Sequence, residues 1–231
     1  MDKLRIDHWN DSYCRSENNI LYPQVEVIRF LNRYIGKRIN HKSVKNIIKS
    51  DDKIKCLDFA CGLGIHAITA EEFGFTSYGA DISKVAIKKA KSLAKSKGNN
   101  DLVNRFYVLN PKNKKLPFSD NYFDFSIAES CLDHMSFDNA LANFKELKRV
   151  TKKYIYFSLV GASLNNDIAG QKLIKSEHQR GTYICYYNKS LISELINCDI
   201  DELKEIKRVV VNDAKSGENT NVRYFIVYEI K

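Results

Sequence analysis

The segment LDFACGLGIHA, Leu57 to Ala67, runs from an apolar stretch into a glycine turn and on into a helix-like pattern, with Asp58 four residues ahead of Gly62. Gly62 and Gly64 suit a tight strand-to-helix turn: without a Cβ the backbone reaches unusual angles and a ligand can approach the main chain. A Gly-x-Gly pair alone specifies no more than a turn. A second signal lies 19 residues after Gly62, where Asp81 closes the run TSYGAD. A carboxylate at that strand end can accept hydrogen bonds from both hydroxyls of a ribose, so the two signals together favour a nucleoside ligand.

Outward from this turn, strands and helices alternate. Residues 54–59 read as a buried strand, 64–73 as a helix and 76–81 as a second strand. SKVAIKKAKSLAKSKG follows as a helix with Ser83 as N-cap and Gly98 as stop. RFYVLN, YFDFSIAE and KYIYFSLV are further strands, with SFDNALANFKELKRV as the helix before the last of them. The alternation predicts an α/β fold, a mostly parallel sheet with helices on both faces. IKRVVVND and VRYFIVYEI are strand-like too, but AKSGENTN between them leaves no room for a crossover helix, so an antiparallel hairpin is expected at the sheet edge. Upstream, Pro23, the apolar positions Val27, Ile28, Phe30, Leu31, Tyr34 and Ile35, and a stop at Gly36 mark an amphipathic helix, followed by a polar, basic stretch to about Lys53.

Length and composition agree with one folded domain. The 231 residues are 44% hydrophobic and 28% charged, close to average soluble usage, which excludes disordered and fibrous classes. The opening MDKLRIDHWNDSYC lacks the apolar core of a secretory signal and no run is long enough to span a bilayer, so a cytoplasmic protein without membrane contact is expected. The six cysteines form no C-x-x-C pair, and no metal is expected. A net charge of +9 would suit a polyanionic partner, but lysine is spread along the chain without a basic block.

A carboxylate just before a glycine loop would repel a pyrophosphate and attract the ammonium of an amino acid. With that acid in place, LDFACGLGIHA, YGADIS and KLPFSDNYFDFSIAESCLDH resemble, in order and spacing, the class I S-adenosylmethionine-dependent methyltransferases. The resemblance is to their small-molecule, type 11-like branch with an L-P-F signature. It covers about Lys53 to Leu159 and implies a Rossmann-like sheet of seven strands with the last antiparallel. By this resemblance Asp58, Ala60, Gly62 and Gly64 hold the methionine part of the cofactor, Asp81 the ribose, and Ile82 packs on the adenine. The family's Asp-Ala pair before L-P-F is missing; LNPKNKKLPF stands there, with Asn110 as the counterpart. Glu129, at the end of the fourth strand, faces the cofactor.

HWNDSYCRSENNILYPQVEVIRFL resembles an N-terminal helical lid of this family, in which Trp9 and Tyr13 meet the cofactor and Tyr22 and Arg29 the acceptor. The implied organisation is a single domain, 1–231, with a lid (1–52), a cofactor-binding core (53–160), a substrate-side insertion (161–203) and a closing hairpin (204–231). His134, after the fourth strand, is the candidate general base, since imidazole titrates near physiological pH. His178, Arg180 and Tyr183 are candidates to grip an anionic or sugar-like acceptor. His66 is expected to pack its helix, and His8 and His41 to lie at the surface.

The expected activity is methyl transfer from S-adenosylmethionine, with S-adenosylhomocysteine as product, to an oxygen or nitrogen of a small polar metabolite. A sugar or phosphorylated intermediate of surface-polysaccharide or secondary metabolism is the suggested acceptor. An RNA methyltransferase shares the fold, but AESC replaces the N-P-P-Y motif of amino-directed base methylases and Cys131 lacks the preceding proline of the pyrimidine-C5 enzymes. A short-chain dehydrogenase would place its glycine loop near the first residue. A non-catalytic scaffold that keeps the fold is the remaining alternative.

Overall fold

The computed structural model describes residues 2–50, 52–113, 115–162, 169–173, 182–212 and 219–231. The chain enters through α1 (Asp2–Cys14) and α2 (Val25–Phe30), and a short hairpin of β1 (Gly36–Arg38) and β2 (Val44–Asn46) follows. The alternating segment then runs β3 (Lys55–Phe59), α3 (Ile65–Glu72), β4 (Thr76–Asp81), α4 (Lys84–Ser96), α5 (Asn100–Val103), β5 (Phe106–Val108) and β6 (Phe123–Ala128). After a 3₁₀ turn at Leu132–His134 come α6 (Phe137–Val150), β7 (Thr151–Val160), β8 (Gly170–Leu173), β9 (Tyr183–Tyr186) and α7 (Lys189–Ile196), and last β10 (Glu205–Asn212) and β11 (Asn219–Glu229).

Seven strands form one sheet in the order β10-β11-β7-β6-β3-β4-β5. The pairs from β7 to β5 are parallel, and β11 is antiparallel to both β7 and β10. This is the Rossmann-like arrangement expected, with the closing hairpin in place. β3 and β6 sit at the centre, and β6 is buried over its whole length, as a parallel strand covered on both faces must be.

The faces are set by the two-residue period of the strands. β7 sends Ile155, Phe157 and Leu159 into a core shared with Phe144 and Leu147 of α6 and Ile192 and Leu195 of α7. Tyr156, between them, joins the opposite core with Val27 and Phe30 of α2 and Phe125 and Ile127 of β6. α4 starts where expected: the Ser83 hydroxyl accepts from the Ala86 N–H at 3.1 Å. It then buries Ala86, Ile87, Ala90 and Ala94 along one stripe.

Two features depart from the sequence pattern. The helix from Val25 widens into a π-helical turn at Leu31–Ile35, and Gly36 does not stop it in a left-handed conformation. Gly36 opens β1 instead, and a Cβ there would meet Val44 at 2.8 Å and the Phe75 ring at 2.9 Å. The polar stretch that follows is partly the β1–β2 hairpin, and within 161–203 the described residues include the antiparallel pair β8–β9.

Gly79 of β4 admits β5: a Cβ at this position would stand 2.4 Å from two carbons of the Phe106 ring. Gly79→Ala is expected to lower stability by about 1–3 kcal/mol through overpacking, measured by urea denaturation, with Phe106→Leu recovering part of the loss.

Candidate active site

Where β3 ends, Ala60, Gly62 and Gly64 all take positive φ (54°, 52° and 71°), and the chain turns at once into α3. Gly64 occupies the N-cap position of α3 and has no side chain to cap it. Asp58 supplies the missing acceptor from the strand: its Oδ2 accepts from the Ala67 N–H at 3.0 Å. Asp81, at the end of β4, fixes the turn from the other side. One of its carboxylate oxygens accepts from the Gly62 N–H at 2.9 Å and the other from the Ser83 N–H at 2.8 Å. Each oxygen keeps a lone pair for a further donor.

A third acid, Glu129, follows β6 and accepts from the Tyr156 hydroxyl at 2.8 Å and the Ser130 hydroxyl at 2.9 Å. Asp58, Asp81 and Glu129 are all buried. Burial pushes the Asp58 carboxyl up to about 8, opposed by the Ala67 hydrogen bond and reinforced by the charges of Asp81 and Glu129. Burial raises Asp81 as well, against its backbone N–H donors, and raises Glu129 against its hydroxyl donors and Arg223. Three acids with their charged forms disfavoured leave a site that gains from a cation.

Asp81 and Glu129 border a cavity of about 1070 Å³. Ala60, Gly62, Asp81, Ile82, Asn110, Glu129 and His134 line it, as do Trp9, Tyr13 and Tyr22 from the N-terminal segment. The Tyr13 hydroxyl stands over Gly62, 2.4 Å from where a Cβ would be. Asn10 and Lys89 hold α1 against α4: the Asn10 carbonyl oxygen accepts from the Ser83 hydroxyl at 2.9 Å, and Lys89 Nζ donates to the Tyr13 carbonyl at 2.5 Å. His134 stacks edge-on to Trp9 with ring centroids 6.0 Å apart, and its Nδ1 is buried with no hydrogen-bond partner among the described residues.

Other predicted residues lie elsewhere. Asp58 does not line the cavity, because its carboxylate is turned into the first turn of α3; Gly64 lies beneath the lining, against Phe106. Arg29 is not brought to the cavity either: it is bound to Glu26 and to Glu205 of β10, each at 2.5 Å, so its charge ties α2 to the sheet edge. Tyr183 sits on β9 opposite Leu173, away from the cavity lining. His178 and Arg180 lie outside the described residues. His66 does more than pack its helix, since it lines the cavity, accepts from the Gln24 N–H at 3.3 Å and is pushed down to about 4 by burial. His8 is half-buried against Trp9 rather than at the surface.

Sequence reasoning missed two cavity residues of consequence, Arg5 and Arg223. Arg5, Trp9 and Tyr13 recur every four residues along α1, a one-face spacing that could have revealed the first. Arg223, on β11, carries no local signal. Among the described residues no group of His, Cys, Asp and Glu is arranged to hold a metal, and no helix is long and apolar enough to cross a membrane.

Residues 57–157 match the family model described as a methyltransferase domain. With the sheet order and glycine turn above, the chain has the Rossmann-like fold of the class I S-adenosylmethionine-dependent methyltransferases. It is similar to an uncharacterized protein of Haemophilus influenzae, 30% identical over 145 residues, which are 62% of this chain and 53% of that protein. The chain thus spans about half the length of that relative. Among solved structures, a Methanosarcina mazei S-adenosylmethionine-dependent methyltransferase superposes with a TM-score of 0.61 at 20% identity, over 78% of this chain and 93% of that one. The Burkholderia thailandensis 1,6-didemethyltoxoflavin-N1-methyltransferase does so with a TM-score of 0.66 at 13% identity, over 100% and 89%.

Because the folded Asp58 carboxyl stands at about 8 and an unfolded one near 3.9, its protonated form stabilises the ligand-free chain. That contribution is complete below about pH 4 and is lost as pH rises through about 8. The melting temperature of the free chain is expected to fall across this window, and Asp58→Asn, which mimics the protonated acid, to flatten the fall. An unchanged slope in the variant would contradict this electrostatic account.

Proposed function

We propose that the chain binds S-adenosylmethionine over the carboxyl ends of β3, β4 and β6 and catalyses methyl transfer to an oxygen or nitrogen of a small polar acceptor. The observation that carries this reading is the pair of buried acids, Asp81 and Glu129, lining a glycine-floored cavity whose turn Asp58 braces from behind. When bound, the cofactor supplies a methyl group already activated by its positively charged sulfur. Its ammonium and sulfonium groups match the cation demand of the acids, and the missing Cβ at Gly62 lets the Tyr13 hydroxyl close over the turn.

In this reading Asp81 directs its remaining lone pairs to the ribose and Ile82 packs on the adenine, with Asn110 at the adenine edge. Glu129 faces the cationic end. Asp58 acts through the turn it braces. Residues 1–52 serve as the lid, 53–160 as the cofactor core, 161–203 as the acceptor-side segment and 204–231 as the closing hairpin of one domain. Trp9 and Tyr13 of the lid exclude water above the glycine turn, and Tyr22 lies on the acceptor side. His134, whose Nδ1 lacks a partner among the described residues, takes the proton that an alcohol or protonated amine must lose. Positioning supplies the rest of the rate, since the leaving group needs no protonation. A small-molecule acceptor is supported by the toxoflavin-precursor enzyme, crystallised with its substrate and S-adenosylhomocysteine, and by the Synechocystis magnesium protoporphyrin IX methyltransferase, which has bound S-adenosylmethionine and superposes with a TM-score of 0.53.

Calorimetric titration of the purified chain with S-adenosylmethionine, S-adenosylhomocysteine and NAD tests the reading. Both adenosyl compounds are expected to bind and NAD to fail; binding of NAD alone would replace the reading with a dinucleotide site. Asp81→Ala is expected to weaken adenosyl binding by about 1.5–3 kcal/mol. His134→Ala is expected to lower turnover, followed as S-adenosylhomocysteine release, far more than cofactor affinity.

A further inference from the structure

Arg223 begins the stretch of β11 that pairs with β7, opposite Val160 at the carboxyl end of that strand, and it lines the cavity. Its side chain is 27% exposed. A guanidinium withdrawn this far from water normally meets a carboxylate. Arg29, Arg105 and Arg149 do so, each within 2.7 Å of a carboxylate oxygen. Arg223 does not. Its Nη1 donates to the Ser130 hydroxyl at 2.8 Å and reaches the Ser158 hydroxyl at 3.5 Å. The Asp133 carboxylate is 3.9 Å away, with the same oxygen already accepting from the Val160 N–H at 3.0 Å. Of the five N–H donors of the guanidinium, those on Nε and Nη2 have no partner among the described residues. They form the edge of the fork that takes two oxygens of one anion side by side.

The charged lining of the cavity is mixed: Asp81 and Glu129 stand at the strand ends beside the glycine turn, Asp138 comes from α6, Arg5 from α1, and Lys112 and Lys115 from the loop after β5. A cationic cofactor at the acids leaves an anion as the complement of Arg223.

We infer that Arg223 binds an anionic group, a carboxylate or a phosphate, on the methyl acceptor and so selects acceptors of that class. The inference rests on the cofactor reading above and deepens it. Ser130 and Ser158 hold one side of the fork, so the other side is presented without loss of side-chain freedom on binding.

The test uses the full chain saturated with S-adenosylhomocysteine and titrated with inorganic phosphate, acetate or chloride at constant ionic strength, followed by calorimetry and thermal shift. One of the two oxyanions is expected to bind saturably where chloride does not, and the tighter of the two names the source as phosphate or carboxylate. Arg223→Gln is expected to raise that half-saturation concentration tenfold or more. Arg223→Lys, which keeps the charge and loses the fork, should fall between, and it decides the matter if the glutamine variant does not fold. S-Adenosylhomocysteine affinity should stay within threefold in both variants. The inference is overturned if neither oxyanion binds the loaded chain, or if binding survives in both variants. A tenfold loss of S-adenosylhomocysteine affinity would also overturn it, because the guanidinium would then serve the cofactor's own carboxylate or the setting of Glu129. If the unsubstituted chain binds no S-adenosylhomocysteine, the cofactor reading falls and this inference with it; binding of S-adenosylhomocysteine without an oxyanion preference sinks this inference alone.

Discussion

The hydrogen bond from the Ala67 N–H to the Asp58 carboxylate holds the centre of this molecule together. α3 must start immediately after a left-handed glycine, and a glycine cannot cap a helix with its own side chain. The cap therefore comes from within the central strand, where a carboxylate is costly to bury. That cost is met partly by the backbone donor and the positive end of the helix, and partly by keeping a proton on the acid in the free chain. Asp81 repeats the device one strand over by holding Gly62, so the turn is gripped from both strands that flank it.

The two acids differ in what they leave available. Asp58 faces the helix and is spent on structure, whereas Asp81 faces the cavity and divides its oxygens between two backbone donors. A single residue class thus sets the backbone path and the electrostatic character of the space beside it. The strained positions agree with this division: Ala60 and Ser130, both non-glycine residues at positive φ, end the two central strands and line the cavity.

Much of the fold was legible because its determinants are local. The β3–α3–β4–α4 run announces itself through apolar blocks, glycine turns and the Ser83 cap, and the β10–β11 hairpin through two apolar runs with no room for a helix between them. The role of Gly36 was not legible, because the residues that crowd it, Val44 and Phe75, come from later in the chain. The candidate site divides the same way. Gly62 and Asp81 meet as their spacing suggested, and Trp9 and Tyr13 share a helix face that reaches the cavity. The orientation of Asp58 depends on which side of the sheet α3 covers, which no window of sequence states. Arg29 pointed elsewhere for a reason that was partly visible: Glu26, three residues earlier, is a ready ion-pair partner. Arg223 owes its position to a strand pairing that spans more than sixty residues of chain.

The placement of β11 between β7 and β10 also constrains the order of assembly. β10 has no other neighbour in the seven-stranded sheet, so although it precedes β11 along the chain it can dock only once that later strand has been laid down. Closing this edge is a long-loop event, slow compared with the nucleation of the β3–α3–β4 unit. The β11 wall of the cleft, and with it the arginine, thus rests on a pairing of far greater sequence separation than the pairing that builds its floor.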